Sequence, residues 1–222
     1  MITIPTSDLL GIIADVAPFA LVDKDMPEWG LVRLEWTSEQ LDAYATNGWV
    51  AARSSWHPDD LPDRDREDDL FQLWGGDDAR WRIDIPVDDA KALLSIYKLP
   101  AKETWAQLTV EHVNLHSVRI VRTKDTGHPA ITTVIRGGDA EMPDVAKALD
   151  TLREDRPTAR VAFNAKQLAL FDKVRPRGAV AMQLGGEKHS TRVTIGERFV
   201  ATLLPASAEW VRPASGGERG DG

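Results

Sequence analysis

The sequence predicts an α+β protein built from three repeated units, each running strand, helix, then three strands. Three observations predict it. Short runs alternate apolar and polar residues with the period of two that a half-buried strand requires, and these runs come in threes. Each set of three is preceded by a segment whose apolar residues recur at helical spacing. No unit is large enough to bury its own helix stripe and sheet face, so the units must share a core or a continuous sheet.

The first unit opens with the strand ITIP and continues as an amphipathic helix. Ser7 is the expected N-cap, and Leu9, Leu10, Ile12, Ile13 and Val16 form the apolar stripe. WGLVRLEWT, QLDAYATNG and WVAARSSW follow as strands; in the first, Leu31, Arg33 and Glu35 alternate against Val32, Leu34 and Trp36. Residues 57–79, HPDDLPDRDREDDLFQLWGGDDA, then break the pattern. With nine Asp or Glu, two Arg, two Pro and a Gly pair, this segment reads as a solvated, mobile insertion.

The second unit comprises ARWRIDIPV as a strand, DDAKALLSIYK as a helix, and AQLTVEHV, SVRIVRT and ITTVIRG as strands. EMPDVAKALDTLREDRP is a connector with room for a helical turn. The third unit begins with the strand ARVAF, turns helical through NAKQLALFDKV, and ends in the strands GAVAMQL, TRVTIG and RFVATLLP. The expected division is therefore a complete two-unit domain over 1–140, a linker over 141–157, a third unit over 158–212 and a disordered tail over 213–222.

Composition narrows the function. A chain of 222 residues, 42% apolar and 28% charged, is ordinary for a soluble globular protein. No stretch approaches the roughly 20 apolar residues of a membrane helix, and MITIPTSDLL lacks the basic-then-apolar pattern of a signal peptide. With no cysteine, disulfides, thiolate zinc sites and cysteine nucleophiles are excluded. A cytoplasmic location is the expectation. The net charge of −8 argues against a simple basic nucleic-acid binder, yet leaves room for basic residues gathered on one surface.

The helices show where such a surface would lie. In the second, Ala90, Leu93, Leu94 and Tyr97 make the apolar stripe, while Lys91, Ser95, Lys98 and Lys102 share the other face. In the third, Leu168, Phe171 and Val174 point inward, Lys166 and Lys173 lie outside, and Arg175 and Arg177 follow. Such faces suit sequence-independent phosphate contacts; they are equally what a solvated face looks like, lysines being favoured near helix C-termini. The first helix differs, carrying Asp8 and Asp15 and no basic residue, which suits a partner chain or solvent.

No enzyme signature is present. His112 and His116 share one face of a strand without a carboxylate pattern to complete a metal site, and DRDREDD lacks the Gly and distal Glu of a calcium loop. Phosphate-binding GxxxxGK[ST], dinucleotide GxGxxG and GxSxG elements are absent. No catalytic residue, metal or cofactor is expected; a hydrolase using the histidines and the acidic loop is the weakest of the readings.

Four stretches carry a resemblance. LDAYATNGWVAARS, AEMPDV, VAFNAKQLALFDKV and RFVATLLPAS occur in the order, and on the predicted elements, where the DNA sliding clamps have their own characteristic segments. The chain thus resembles that family, particularly the bacterial DNA polymerase III beta subunit, over nearly its whole length. It departs at Asn47, where the family has Asp, at Trp49, Val50 and Ala51 in place of His-Arg-Leu, and at Leu204 in place of Met. It also has three units, like a complete middle domain fused to the last half of a final one.

The resemblance implies an α+β clamp fold with antiparallel sheets outside and helices on one face. It implies a non-catalytic processivity factor or scaffold in DNA replication, acting on duplex DNA without sequence preference and forming a homo-oligomer. Its partners would be a DNA polymerase or other replication proteins. They would be held in a hydrophobic pocket lined by Thr46, Gly48, Trp49, Val50, Pro143, Leu203, Leu204, Pro205 and Ala206. Lys91, Lys98, Lys102, Lys166, Lys173, Arg175 and Arg177 would face DNA. A ring of twelve units would take four chains of three. The alternative is a clamp-derived interaction module of phage or plasmid type, binding replication proteins without encircling DNA. QLALF, Gln167 to Phe171, resembles the short peptide by which replication proteins grip such clamps, but its helical stripe predicts a packed segment rather than a docking tag.

Overall fold

A computed structural model describes residues 1–58, 80–99, 106–123, 129–150, 161–175, 179–186 and 189–206. The acidic segment from 59 onward, Lys102, Arg177, residues 151–160 and the tail lie outside the described residues.

The first unit consists of β1 (Ile2–Pro5), α1 (Thr6–Val16), β2 (Leu31–Trp36), β3 (Leu41–Thr46) and β4 (Val50–Trp56). The second consists of β5 (Trp81–Pro86), α2 (Val87–Ile96), β6 (Gln107–Asn114), β7 (Ser117–Arg122) and β8 (Ile131–Arg136). The connector forms α3 (Val145–Asp150), and the third unit forms α4 (Ala165–Leu168), a 3-10 turn over Ala169–Lys173, β9 (Val180–Gln183), β10 (Thr191–Ile195) and β11 (Phe199–Leu203).

The first two units share a strand-to-helix junction. Ile2-Thr3-Ile4-Pro5 and Ile83-Asp84-Ile85-Pro86 both end in a proline that sits at the N-cap, with φ of −54° and −52°. Proline's fixed φ suits the extended-to-helical change, and its missing N–H costs nothing at the end of an edge strand. Ser7 is therefore not the cap of α1: the helix begins one residue earlier, at Thr6, whose N–H donates instead to the Ala106 carbonyl at 2.8 Å.

These opening strands are exchanged between units. β1 pairs antiparallel with β6 to give the sheet β1-β6-β7-β8, and β5 pairs with β2 at the edge of the sheet β5-β2-β3-β4-β11-β10-β9. The third unit joins the first through β4 and β11, whose register runs from Phe199 opposite Ser54 to Leu203 opposite Val50. Its own expected opening strand, ARVAF, lies partly outside the described residues, and the described part, 161–163, is in no strand. The reason is topological. An opening strand completes the neighbouring unit's strand set, and among the described residues no fourth unit exists to receive this one.

One apolar core runs through all three units, from Ile4, Leu9 and Ile12 through Leu34, Ile85 and Leu93 to Phe171, Val193 and Phe199. α1, α2 and the α4 segment cover the inner face of the seven-stranded sheet. On the outer face the connector packs Met142 and, from α3, Val145 and Leu149 against Leu31, Tyr44 and Ala51. The sheets are antiparallel and the helices few, as an α+β clamp-like fold requires.

Candidate docking surface and basic face

The turn between β3 and β4 is held by its own side chains. Thr46 Oγ1 donates to the Val50 carbonyl at 2.8 Å and accepts from the Gly48 N–H at 3.1 Å. Asn47 Oδ1 accepts from the Trp49 and Val50 N–H groups at 3.0 and 2.9 Å, while its Nδ2 donates to Gln167 Oε1 at 2.9 Å. Asn47 thus bonds the turn with one end of its amide and ties it to α4 with the other. Gly48 has φ of +82°, and a Cβ there would lie 2.7 Å from the Trp29 ring. Glycine is required on both counts.

This turn projects Trp49 outward, 54% exposed, beside Leu204, 44% exposed. The Leu204 N–H donates to the Trp49 carbonyl at 3.0 Å, extending the β4–β11 ladder by one rung and fixing the two residues side by side. Pro205 and Ala206 follow half-buried, and the Ala206 N–H donates to the Ala162 carbonyl at 2.8 Å. Val50 and Leu203, expected in the same pocket, point the other way and are buried in the core. Period-two alternation makes this unavoidable, because each immediately precedes or follows an outward-facing residue. Pro143 is exposed just before α3, which lies on the outer face over Ala51. The exposed apolar elements of the predicted pocket are thus Trp49, Leu204 and Pro143.

The basic residues divide differently. Lys91 and Lys98 are exposed on and just after α2, Lys91 lying 3.9 Å from Asp88. Lys166, Lys173 and Arg175 are exposed along the α4 segment. Both segments belong to the helical layer on the inner face of the seven-stranded sheet. The exposed face of α2 also carries Asp88 and Asp89, so its positive charge is diluted.

The acidic residues of α1 are engaged by the third unit rather than forming a free solvent face. Asp15 is 1% exposed and accepts from Ser54 Oγ at 3.0 Å, the Arg175 N–H at 3.2 Å and Arg198 Nε at 3.3 Å. Asp8 Oδ1 accepts from another nitrogen of Arg198 at 3.4 Å. The two aspartates fasten the third unit to the first helix. Sequence reasoning missed Arg198 because its partners lie nearly the whole chain length away; the signal was the pair of aspartates, which share a helix with no cation of its own.

A second buried pair anchors the connector. Arg33 grips Asp84 in a bidentate contact at 2.6 and 2.9 Å, and both reach Met142, through its carbonyl and its N–H. The Asp84 hydrogen bond outweighs burial and holds the guanidinium charge more firmly than usual.

His112 stacks on Trp81 with ring centroids 5.8 Å apart, and His116 falls in the turn between β6 and β7. Among the described residues no group of His, Asp or Glu is arranged to hold a metal ion. No described helix is long and apolar enough to cross a membrane.

No protein-family model matches the chain, and no curated protein matches its sequence. Solved structures do. A DNA polymerase sliding clamp from Pseudomonas aeruginosa, solved with a ligand, superposes with a TM-score of 0.70 over 93% of this chain at 13% identity. The DNA polymerase III beta subunit from Thermotoga maritima gives 0.66 over 93% at 14% identity, and a putative beta subunit from Eubacterium rectale gives 0.69 over 94% at 10% identity. The chain spans 65% of the length of each. With its exchanged opening strands, paired helices and sheets joined edge to edge, the chain has the fold of the bacterial DNA polymerase III beta sliding clamps.

Proposed function

We propose that the protein is a non-catalytic, sliding-clamp-like processivity factor or scaffold in DNA replication. The observation that carries this reading is the superposition over nearly the whole chain, joined to a site that fits peptide capture. Trp49 and Leu204 are held side by side by backbone bonds, beside α3. A rigid apolar pair flanked by backbone polar groups suits a short segment with one or two apolar anchors. Lys91, Lys98, Lys166, Lys173 and Arg175, joined by Lys102 and Arg177, would contact duplex phosphates from the helical face. β8 and β9 end their sheets and expose Val134, Val180 and Met182, which favours contact between copies of this chain and hence a homo-oligomer. A cytoplasmic setting accords with this role.

The pocket is tested with a labelled synthetic peptide Gln-Leu-Ala-Leu-Phe and fluorescence anisotropy. Saturable binding weakened roughly tenfold or more by Trp49→Ala and by Leu204→Ala is expected, as for truncation of a binding hot spot. Equal binding by both variants would remove the pocket.

A second reading, an interaction module that never encircles DNA, is favoured by the acidic residues on α2 and the net charge of −8. It keeps the peptide site and loses the DNA contact.

A further inference from the structure

We infer that the outer face of the seven-stranded sheet carries a phosphate-binding site, at the opposite end of β4 and β11 from Trp49 and Leu204. A cleft of about 590 Å³ opens there, a size suited to a nucleotide-sized ligand. Its floor is the outward face of three adjacent strands: Arg53 and Ser55 from β4, Val200 from β11, Arg192 and Thr194 from β10.

Neither Arg53 nor Arg192 makes an ion pair with a carboxylate among the described residues. Arg53 Nε is buried with no hydrogen-bond partner. A buried charged donor left in that state costs free energy, and an incoming acceptor would relieve it. Asp42 lies on the same face but does not serve, being occupied by Ser55 Oγ at 2.5 Å, Gln40 Nε2 at 2.7 Å and Tyr44 Oη at 3.1 Å.

The register brings the two guanidinium groups together. Arg53 stands opposite Val200, and Arg192 stands opposite Thr202 on the far side of β11. The two Cα atoms are thus two strands and two residues apart, about 12 Å from strand spacing and rise, so two long side chains can converge on one ligand. The hydroxyl of Thr194 flanks them, while that of Ser55 is committed to Asp42. The cleft also holds Arg198, Asp8 and Glu197; Asp8 is engaged with Arg198, and Glu197 sits exposed in the β10–β11 turn. Arg198 is balanced by Asp8 and Asp15, which leaves the guanidinium groups of Arg53 and Arg192 to face a ligand, with Glu197 at the rim and Asp42 alongside. Planar forked donors favour a tetrahedral oxyanion with several acceptor oxygens.

The inference is independent of DNA encirclement and of the peptide site. It is tested by titration calorimetry of the full chain with inorganic pyrophosphate and, separately, with ADP at low salt. One saturable site is expected, weakened roughly tenfold or more in Arg53→Gln and in Arg192→Gln, consistent with loss of a charge-assisted contact. Arg82→Gln, exposed and outside the cleft, should bind as the parent does. Circular dichroism checks that each variant folds, and Arg192→Gln, on a surface hairpin, keeps the test decisive if Arg53→Gln does not. Tighter binding of ADP than of pyrophosphate would assign a nucleotide; the reverse would assign free phosphate groups. Absence of saturable binding, or equal affinity in Arg192→Gln and the parent, would overturn the site.

Discussion

Asp15 shows how one side chain can decide the relation between distant parts of the chain. It gathers Ser54, the Arg175 N–H and Arg198 in a space closed to solvent. Replacing it with Ala would leave the Ser54 hydroxyl and the Arg175 N–H without their acceptor and remove one of the carboxylates that hold Arg198, at a cost of about 1–3 kcal/mol for buried donors left unsatisfied. Asp15→Asn keeps an acceptor oxygen and should cost less. Urea denaturation checks both, and an Asp15→Ala midpoint equal to the parent's would contradict the role. From sequence, Asp15 reads as part of an acidic exposed face, because local spacing cannot show that a residue 183 positions later returns to it. Tyr44 supplies a pH prediction. Burial foremost, then Asp42, push its hydroxyl above the usual 10.0. The native state therefore keeps the proton that the unfolded chain releases above about pH 10, and stability must fall as pH rises beyond that value. Tyr44→Phe should flatten this alkaline decline, as followed by denaturation midpoints; an unchanged slope would show that Tyr44 is not its source.

At the scale of elements, Gln167 to Phe171 is the instructive segment. Phe171 packs against Phe19 at 5.2 Å and Phe199 at 6.3 Å between ring centroids, and Gln167 is bonded to Asn47. The helical stripe was sufficient to predict this packing, although the helix yields to a 3-10 turn after Leu168. Phe171→Ala should cost about 3–5 kcal/mol in thermal or chemical denaturation; a loss below about 1 kcal/mol would mean the segment is only loosely docked. Strands β2 to β4 and β6 to β8 were legible because alternation is a local signal. The strand expected at ARVAF is not seen over its described residues, 161–163, since a strand exists only with a neighbour to bond, and that neighbour is a property of the whole topology. The pocket was half legible for a related reason: motif matching placed Val50 beside Trp49 and Leu203 beside Leu204, while the strand's pleat sends each pair to opposite faces.

For the whole molecule, the exchanged opening strands and the shared core explain how three small units make one folded body. The fold places α1, α2 and the α4 segment on one side of the seven-stranded sheet and α3 on the other, and among the described residues β8 and β9 each end a sheet. Four chains of three units would supply the twelve units of a ring, with the basic helical residues turned toward its centre. The direct test assembles the protein at high concentration on nicked circular duplex DNA and follows co-elution by gel filtration at moderate salt. A topological link predicts retention on the circle and release after the DNA is cut to a linear form. Equal release from circular and linear DNA, or equal retention on both, would contradict encirclement.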